Sequence, residues 1–206
     1  MEKMNSKKVD LDFLKNFDLT NSSKNNFNKN NSYFYEKLID ITEILTNGNI
    51  KLVEEIKELI FEYDSFCNKR QAFCENLVDD FNNIYEAKRY LPLIYGYWCG
   101  GARYDDRQYC AYIGWDFKAK ELVDVVQKIL NSINANINIK GMEFINEKFI
   151  DNVFSEIDEL LKKNFYSLLS LKVEQNSFFL FIVPLKSLAK IKMMAYDMEL
   201  DFNDVF

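Results

Sequence analysis

The sequence predicts an α+β fold: an antiparallel or mixed sheet of four to five strands with helices packed on it, preceded by an N-terminal helical segment. Three observations carry this. Hydrophobic residues make up 48% of the 206 positions and aromatics 16%, enough apolar material for one sizeable core. Apolar residues recur at helical spacing as far as residue 91, and beyond it strand-like runs alternate with further helical patterns. Two prolines and six glycines leave little room for long irregular loops.

Residues 1–32 include "TNSSKNNFNKNNS", a polar run without periodicity, read as a flexible N-terminal segment. Leu11, Phe13, Leu14 and Phe17 precede it and could form a short turn docked on the body. Residues 33–206 are read as a single domain, with 33–91 its helical part and 92–206 its sheet-containing part. Phe34, Leu38, Ile41 and Leu45 fall on one helical face, and Asn47-Gly48 ends that helix. Asn49 suits the N-cap of a second helix, whose inner face is Leu52, Val53, Ile56, Leu59, Ile60 and Tyr63. Lys51 and Glu55 form an i,i+4 pair on its wet face. A third helix carries Cys74, Leu77, Val78, Phe81, Ile84 and Tyr85 and stops at Pro92.

After Pro92 the pattern turns to strands. "LIYGYWC" (93–99) and "QYCAYIGW" (108–115) are aromatic-rich and separated by turn residues, which predicts a hairpin. A helix follows through Leu122, Val123, Val126, Ile129, Leu130 and Ile133, with Asp116 near its positive end. "ANINIK" alternates like a short strand, and a helix runs from about 147 to 163. "FYSLLSLKV" and "SFFLFIVP" form a second hairpin across "EQNS". "FFLFIV" is apolar at every position, so it belongs at the centre of the sheet. Pro184 opens a last helix with Leu185, Leu188, Ile191, Met194, Ala195 and Met198 inside, and the acidic tail packs through Phe202 and Phe206.

The composition narrows function by exclusion. The formal net charge is −6, and no basic run stands out to replace counterions on nucleic-acid phosphate, so the expected partner is a basic protein. Histidine is absent, which removes the commonest general base, the commonest zinc ligand and every Ser-His or Cys-His pair. Cys67, Cys74, Cys99 and Cys110 contain no C-x-x-C pair, so no metal or cofactor is expected. Cys99 and Cys110 flank the turn and could face each other across it. The charged start "MEKMNSKKVDLDF" lacks an apolar signal core, and no apolar run reaches membrane-spanning length. The expected location is the cytoplasm, with no membrane partner.

The segment "WCGGARYDDRQYCAYIGWD", residues 98–116, is the one candidate site. A phosphate loop needs a helix after its glycines, and here a strand follows. Asp105 and Asp106 are adjacent, so on a strand they point to opposite sides and do not share an ion. A reactive cysteine near Arg103 and Arg107 would lack a histidine partner. A solvated polar turn with internal Arg–Asp pairing explains the residues better. Such a turn flanked by exposed aromatics has the composition of a binding hot spot. The candidate partner-binding residues are therefore Tyr97, Trp98, Arg103, Tyr104, Asp105, Asp106, Arg107 and Asp116.

"YIGWDFKAKELVDVV" and "SFFLFIVPLKSLAKI" each join an apolar strand to an amphipathic helix. In this they resemble an uncharacterised bacterial α+β family of small acidic proteins of the immunity-protein type. The resemblance implies a protein that binds and blocks a toxin, and it brings no catalytic residue with it. Together these observations favour a non-enzymatic intracellular bacterial interaction protein. The alternative is a small-ligand-binding protein or histidine-independent enzyme with its polar site around residues 103–116.

Overall fold

The computed structural model describes residues 27–71, 94, 98–99, 107–114, 116–139, 150–174 and 177–204. Within them the protein has the α+β architecture the sequence predicts, with six helices and one four-stranded sheet. In chain order these are α1 (Phe27–Leu45), α2 (Ile50–Phe61), α3 (Tyr63–Lys69), β1 (Cys110–Ile113), α4 (Ala119–Ser132), α5 (Ile150–Lys163), β2 (Tyr166–Glu174), β3 (Ser177–Pro184), α6 (Leu185–Asp197) and β4 (Phe202–Asp204). The strand order is β1-β3-β2-β4, and every neighbouring pair is antiparallel.

The all-apolar strand lies at the centre, as its composition requires. Phe179, Leu180, Phe181, Ile182 and Val183 are all buried, although successive side chains point to opposite faces. Phe154 of α5 packs on Phe178 on one face, while Trp98 and Phe202 pack on Phe181 on the other. Helix α5 is fastened to β2 by a buried carboxylate. One oxygen of Asp158 accepts from the Ser167 hydroxyl at 3.0 Å and the Leu168 N–H at 2.8 Å, and the other meets Lys162 at 2.6 Å. That bond to Asp158 raises the Lys162 pKa above its ordinary value.

Asn49 caps α2 as expected, its side chain accepting from the Leu52 N–H. The end of α1 is also where the Asn47-Gly48 pair places it. Asn47 takes left-handed backbone (φ 52°) and Gly48 follows at φ 74°. The Gly48 N–H returns to the Glu43 carbonyl and the Asn47 N–H to that of Ile44, the Schellman pattern. The Asn47 amide then reaches the Ile133 carbonyl at the end of α4, 2.8 Å away.

Several local expectations are corrected. Helix α1 begins at Phe27, so residues 27–32 of the segment read as flexible are helical. Once residues 34–45 are packed, each further residue adds a helical bond at little cost. The second helix breaks at Glu62, and Tyr63 begins α3 instead of closing α2. Glu55 pairs with Arg70 at 3.2 Å, a partner set by the fold and not by the i,i+4 spacing to Lys51. Residues 135–139 are not a strand: the Gln127 side chain accepts from the Ile139 N–H and donates to the Ile137 carbonyl, in place of a sheet neighbour.

The first expected hairpin is not seen among the described residues. Ile94 and Trp98 are helical and fully buried, and β1 pairs with β3. Phe202 packs as expected, within a short strand that extends the sheet beside β2. Pro184 ends β3 and precedes α6 as its N-cap. The expected third helix through Tyr85, Pro92, Phe206 and the turn at Leu11–Phe17 lie outside the described residues.

Two stability measurements check this account. Asp158→Ala should cost about 1–3 kcal/mol in urea unfolding, because it leaves a buried donor without an acceptor. Asp158→Asn, which keeps an acceptor, should cost less. Asn47→Ala should cost about 1–3 kcal/mol by combining left-handed strain with a lost hydrogen bond. Asn47→Gly loses only the bond and should recover most of that.

Candidate functional site

Of the residues expected to bind a partner, Trp98, Arg107 and Asp116 are among the described residues, and Trp98 is not at the surface. Trp98 is fully buried, and its ring meets Phe181 edge-on at 5.5 Å and 81°. It is a core residue, and a partner cannot reach it without unfolding that part of the protein. Arg107 is exposed just before β1, and Asp116 is exposed in the turn after it, so the strand separates the two. Tyr97, Arg103, Tyr104, Asp105 and Asp106 lie outside the described residues. Tyr112 is half-buried against Phe179.

A different surface stands out where α1 packs along α6. Six large hydrophobic side chains are exposed among the described residues, and three of them lie here: Tyr33 (54% exposed), Met193 (63%) and Tyr196 (84%). Helical spacing explains the grouping. Leu38, Ile41 and Leu45 take the inner side of α1, which turns Tyr33, Glu36, Asp40 and Glu43 outward at intervals of three and four. On α6, Ile191, Met194 and Ala195 face inward, leaving Lys190, Met193 and Tyr196 on the outer side.

Charge pairs hold the two helices in register. Lys37 bonds Asp197, whose carboxylate also accepts from the Tyr33 hydroxyl at 3.4 Å. The Lys37 ammonium sits 3.9 Å from the centre of the Tyr33 ring, a cation–π contact. Lys190 approaches Asp40 at 3.9 Å. Lys37 holds the Asp197 carboxyl below its ordinary value. Desolvation opposes the charge on Lys37, but its bonds to Asp197 and Tyr33 outweigh this and raise its pKa.

A second charged cluster joins α2 to α3. Glu58 meets Lys69 and accepts from the Ser65 hydroxyl at 3.1 Å, while Arg70 spans Glu55 and Glu58 and lies over the Phe66 ring. Lys69 is the main cause of a lowered Glu58 pKa. Each charge here answers another within the protein, which makes the cluster a clip between two helices. Among the described residues, no three Cys, Asp or Glu side chains are grouped as metal ligands would be. No helix among them is long and apolar enough to cross a membrane.

The model of a domain of unknown function, DUF6630, matches residues 37–206. The chain belongs to this family. The DUF6630 match begins inside α1 and runs to the last residue, so it takes in the Lys37–Asp197 and Asp40–Lys190 contacts and both exposed α6 side chains. Comparison with curated proteins and with solved structures gives no match.

The α1–α6 surface is not legible in the sequence, because neither helix announces its neighbour. The available signal was Met193 and Tyr196 standing on the outer side of an otherwise amphipathic helix. The Lys37–Asp197 pair should also give stability a distinct pH dependence. Asp197 is depressed on folding, so its contribution is complete above its ordinary 3.8 and is lost as pH falls through the lower folded value. Lys37 is raised, so its contribution is complete below 10.5 and is lost as pH rises through the higher folded value. Asp197→Asn should therefore show a shallower fall in urea midpoint than the wild type on acidification below about pH 4.

Proposed function

We propose that the protein acts by binding a basic protein partner through the α1–α6 face, as a non-enzymatic intracellular bacterial inhibitor of the immunity type. The observation that carries this reading is the joining of two features on one face. Tyr33, Met193 and Tyr196 supply exposed apolar contact area. Glu36, Asp40 and Glu43, exposed along the same side of α1, supply negative charge, of which Asp40 is shared with Lys190. Tyrosine and methionine side chains are favoured at protein interfaces, since they bury large areas with few rotatable bonds or adapt their shape. The carboxylates add steering and orientation for a positively charged surface. The net charge of −6 acts in the same direction at longer range.

An inhibitor of this kind needs no reacting centre. It needs a rigid surface whose contacts form without reordering, and two helices fixed by charge pairs meet that need. The contact of Tyr33 with Lys37 and their shared bond to Asp197 support this reading, since they orient the tyrosine ring without a partner.

The test places a photo-reactive benzoylphenylalanine at position 196 of the full chain in its native host, with the same group at the exposed β2 position 172 as control. We expect one dominant adduct at position 196, to a protein of net positive charge, and none at 172. Reversal of the stripe by Asp40→Lys with Glu43→Lys should reduce the adduct at least roughly tenfold. High salt should reduce it as well. Adducts identical at both positions, or none at 196, would show that this face has no dedicated partner.

A further inference from the structure

We infer that Cys99 and Cys110 are a reversible disulfide-forming pair, a modification site built into the core beside the central strand. Their sulfurs stand 2.9 Å apart. A bonded pair stands at about 2.05 Å, so closure asks for a movement of about 0.9 Å. The approach is imposed by the backbone on both sides. The Tyr109 N–H donates to the Trp98 carbonyl at 2.7 Å, which brings the residues just before each cysteine together.

Both supports are themselves fixed. Trp98 is locked against Phe181, and Cys110 pairs with that same Phe181 across the sheet. On the β1 side, the Gln108 N–H donates to the Ser132 hydroxyl at 2.8 Å, and the Tyr109 hydroxyl accepts from the Asn49 amide at 2.6 Å. Neither sulfur can easily drift away from the other. This separates the pair from Cys67, a half-buried thiol in α3.

The chemistry is thiol–disulfide exchange with a small disulfide such as oxidised glutathione. Cys99, 4% exposed, is the less enclosed of the two and attacks the glutathione disulfide first, since Cys110 is fully enclosed. The Cys99 thiolate displaces one glutathione thiolate and forms a mixed disulfide. The Cys110 thiolate then attacks the Cys99 sulfur and displaces the glutathione held there. One disulfide is consumed, one is formed, and the two thiol protons leave on two molecules of reduced glutathione. The product ties the chain after Trp98 covalently to β1 and encloses the ten residues between the cysteines.

The test uses the full chain, reduced, freed of reductant and equilibrated with glutathione buffers of rising oxidised fraction. Samples are quenched with N-ethylmaleimide and mapped by peptide mass. We expect a Cys99–Cys110 linked pair that dithiothreitol reverses and that persists when Cys67→Ser and Cys74→Ser are combined. The linked form should melt roughly 5–10 °C higher, the shift expected for a short closed loop in a chain of this size. Cys99→Ala should abolish the shift. If that variant does not fold, the wild-type peptide map still decides. Maleimide on both Cys99 and Cys110 at the most oxidising ratio would overturn the proposal, and so would glutathione retained on Cys99 beside a free Cys110 thiol.

Discussion

Strand β3 has no wet face, and the rest of the structure follows from that. A strand buried on both sides needs cover on both sides and a hydrogen-bonding neighbour along each edge. β1 and β2 satisfy the edges, pairing Phe181 with Cys110 on one flank and Leu169 on the other. Phe154, Trp98 and Phe202 come from three distant parts of the chain to cover its phenylalanines. Each fully buried side chain of this size contributes roughly 1.5–3 kcal/mol, so the five from Phe179 to Val183 form the largest single favourable group in the sheet. Segments that look independent in the sequence are thereby required to meet.

The asparagines play a larger part than their abundance suggests. A chain with six glycines must turn its helix ends with something else. Asn47 and Asn134 both adopt left-handed backbone after α1 and α4, at φ 52° and 56°. Asparagine accepts this conformation more readily than most residues. Ala135 and Asn134 return their N–H groups to Leu130 and Asn131, repeating the closure seen after α1. Because the Asn47 amide also bonds Ile133, the two ends are tied to each other. Asn49 works in both directions, capping α2 through its oxygen and meeting the Tyr109 hydroxyl through its nitrogen.

What the sequence made legible and what it hid divide along physical lines. α4, α5, α6 and the β2–β3 hairpin are long or strongly patterned, so their apolar spacing was enough. The run containing Ile94 and Trp98 was not, because two buried residues four apart satisfy a helix while the aromatics between them alternate like a strand. Residues 135–139 alternate too, yet a glutamine side chain takes the place of the neighbouring strand, a substitution that no local pattern reveals. Strand β4 is three residues long, below what periodicity can register. Trp98 left the candidate site for a related reason: an aromatic residue beside arginine and aspartate belongs to a hot spot only if it is outside, and Trp98 is needed inside to cover Phe181.

The α1–α6 face inverts that error. Helix α6 holds its place through Ile191, Met194 and Ala195, and α1 through Leu38, Ile41 and Leu45. Nothing in that packing asks for a tyrosine at 196 that is 84% exposed, or for Met193 beside it. Lysine or glutamate at either position would serve the helix equally and the solubility better. The Lys190–Asp40 pair is exposed enough to add little to stability, while Lys37 of the Lys37–Asp197 pair is largely covered; both pairs orient the surrounding side chains. A surface whose residues the fold does not require is the kind of surface that the proposed partner would meet.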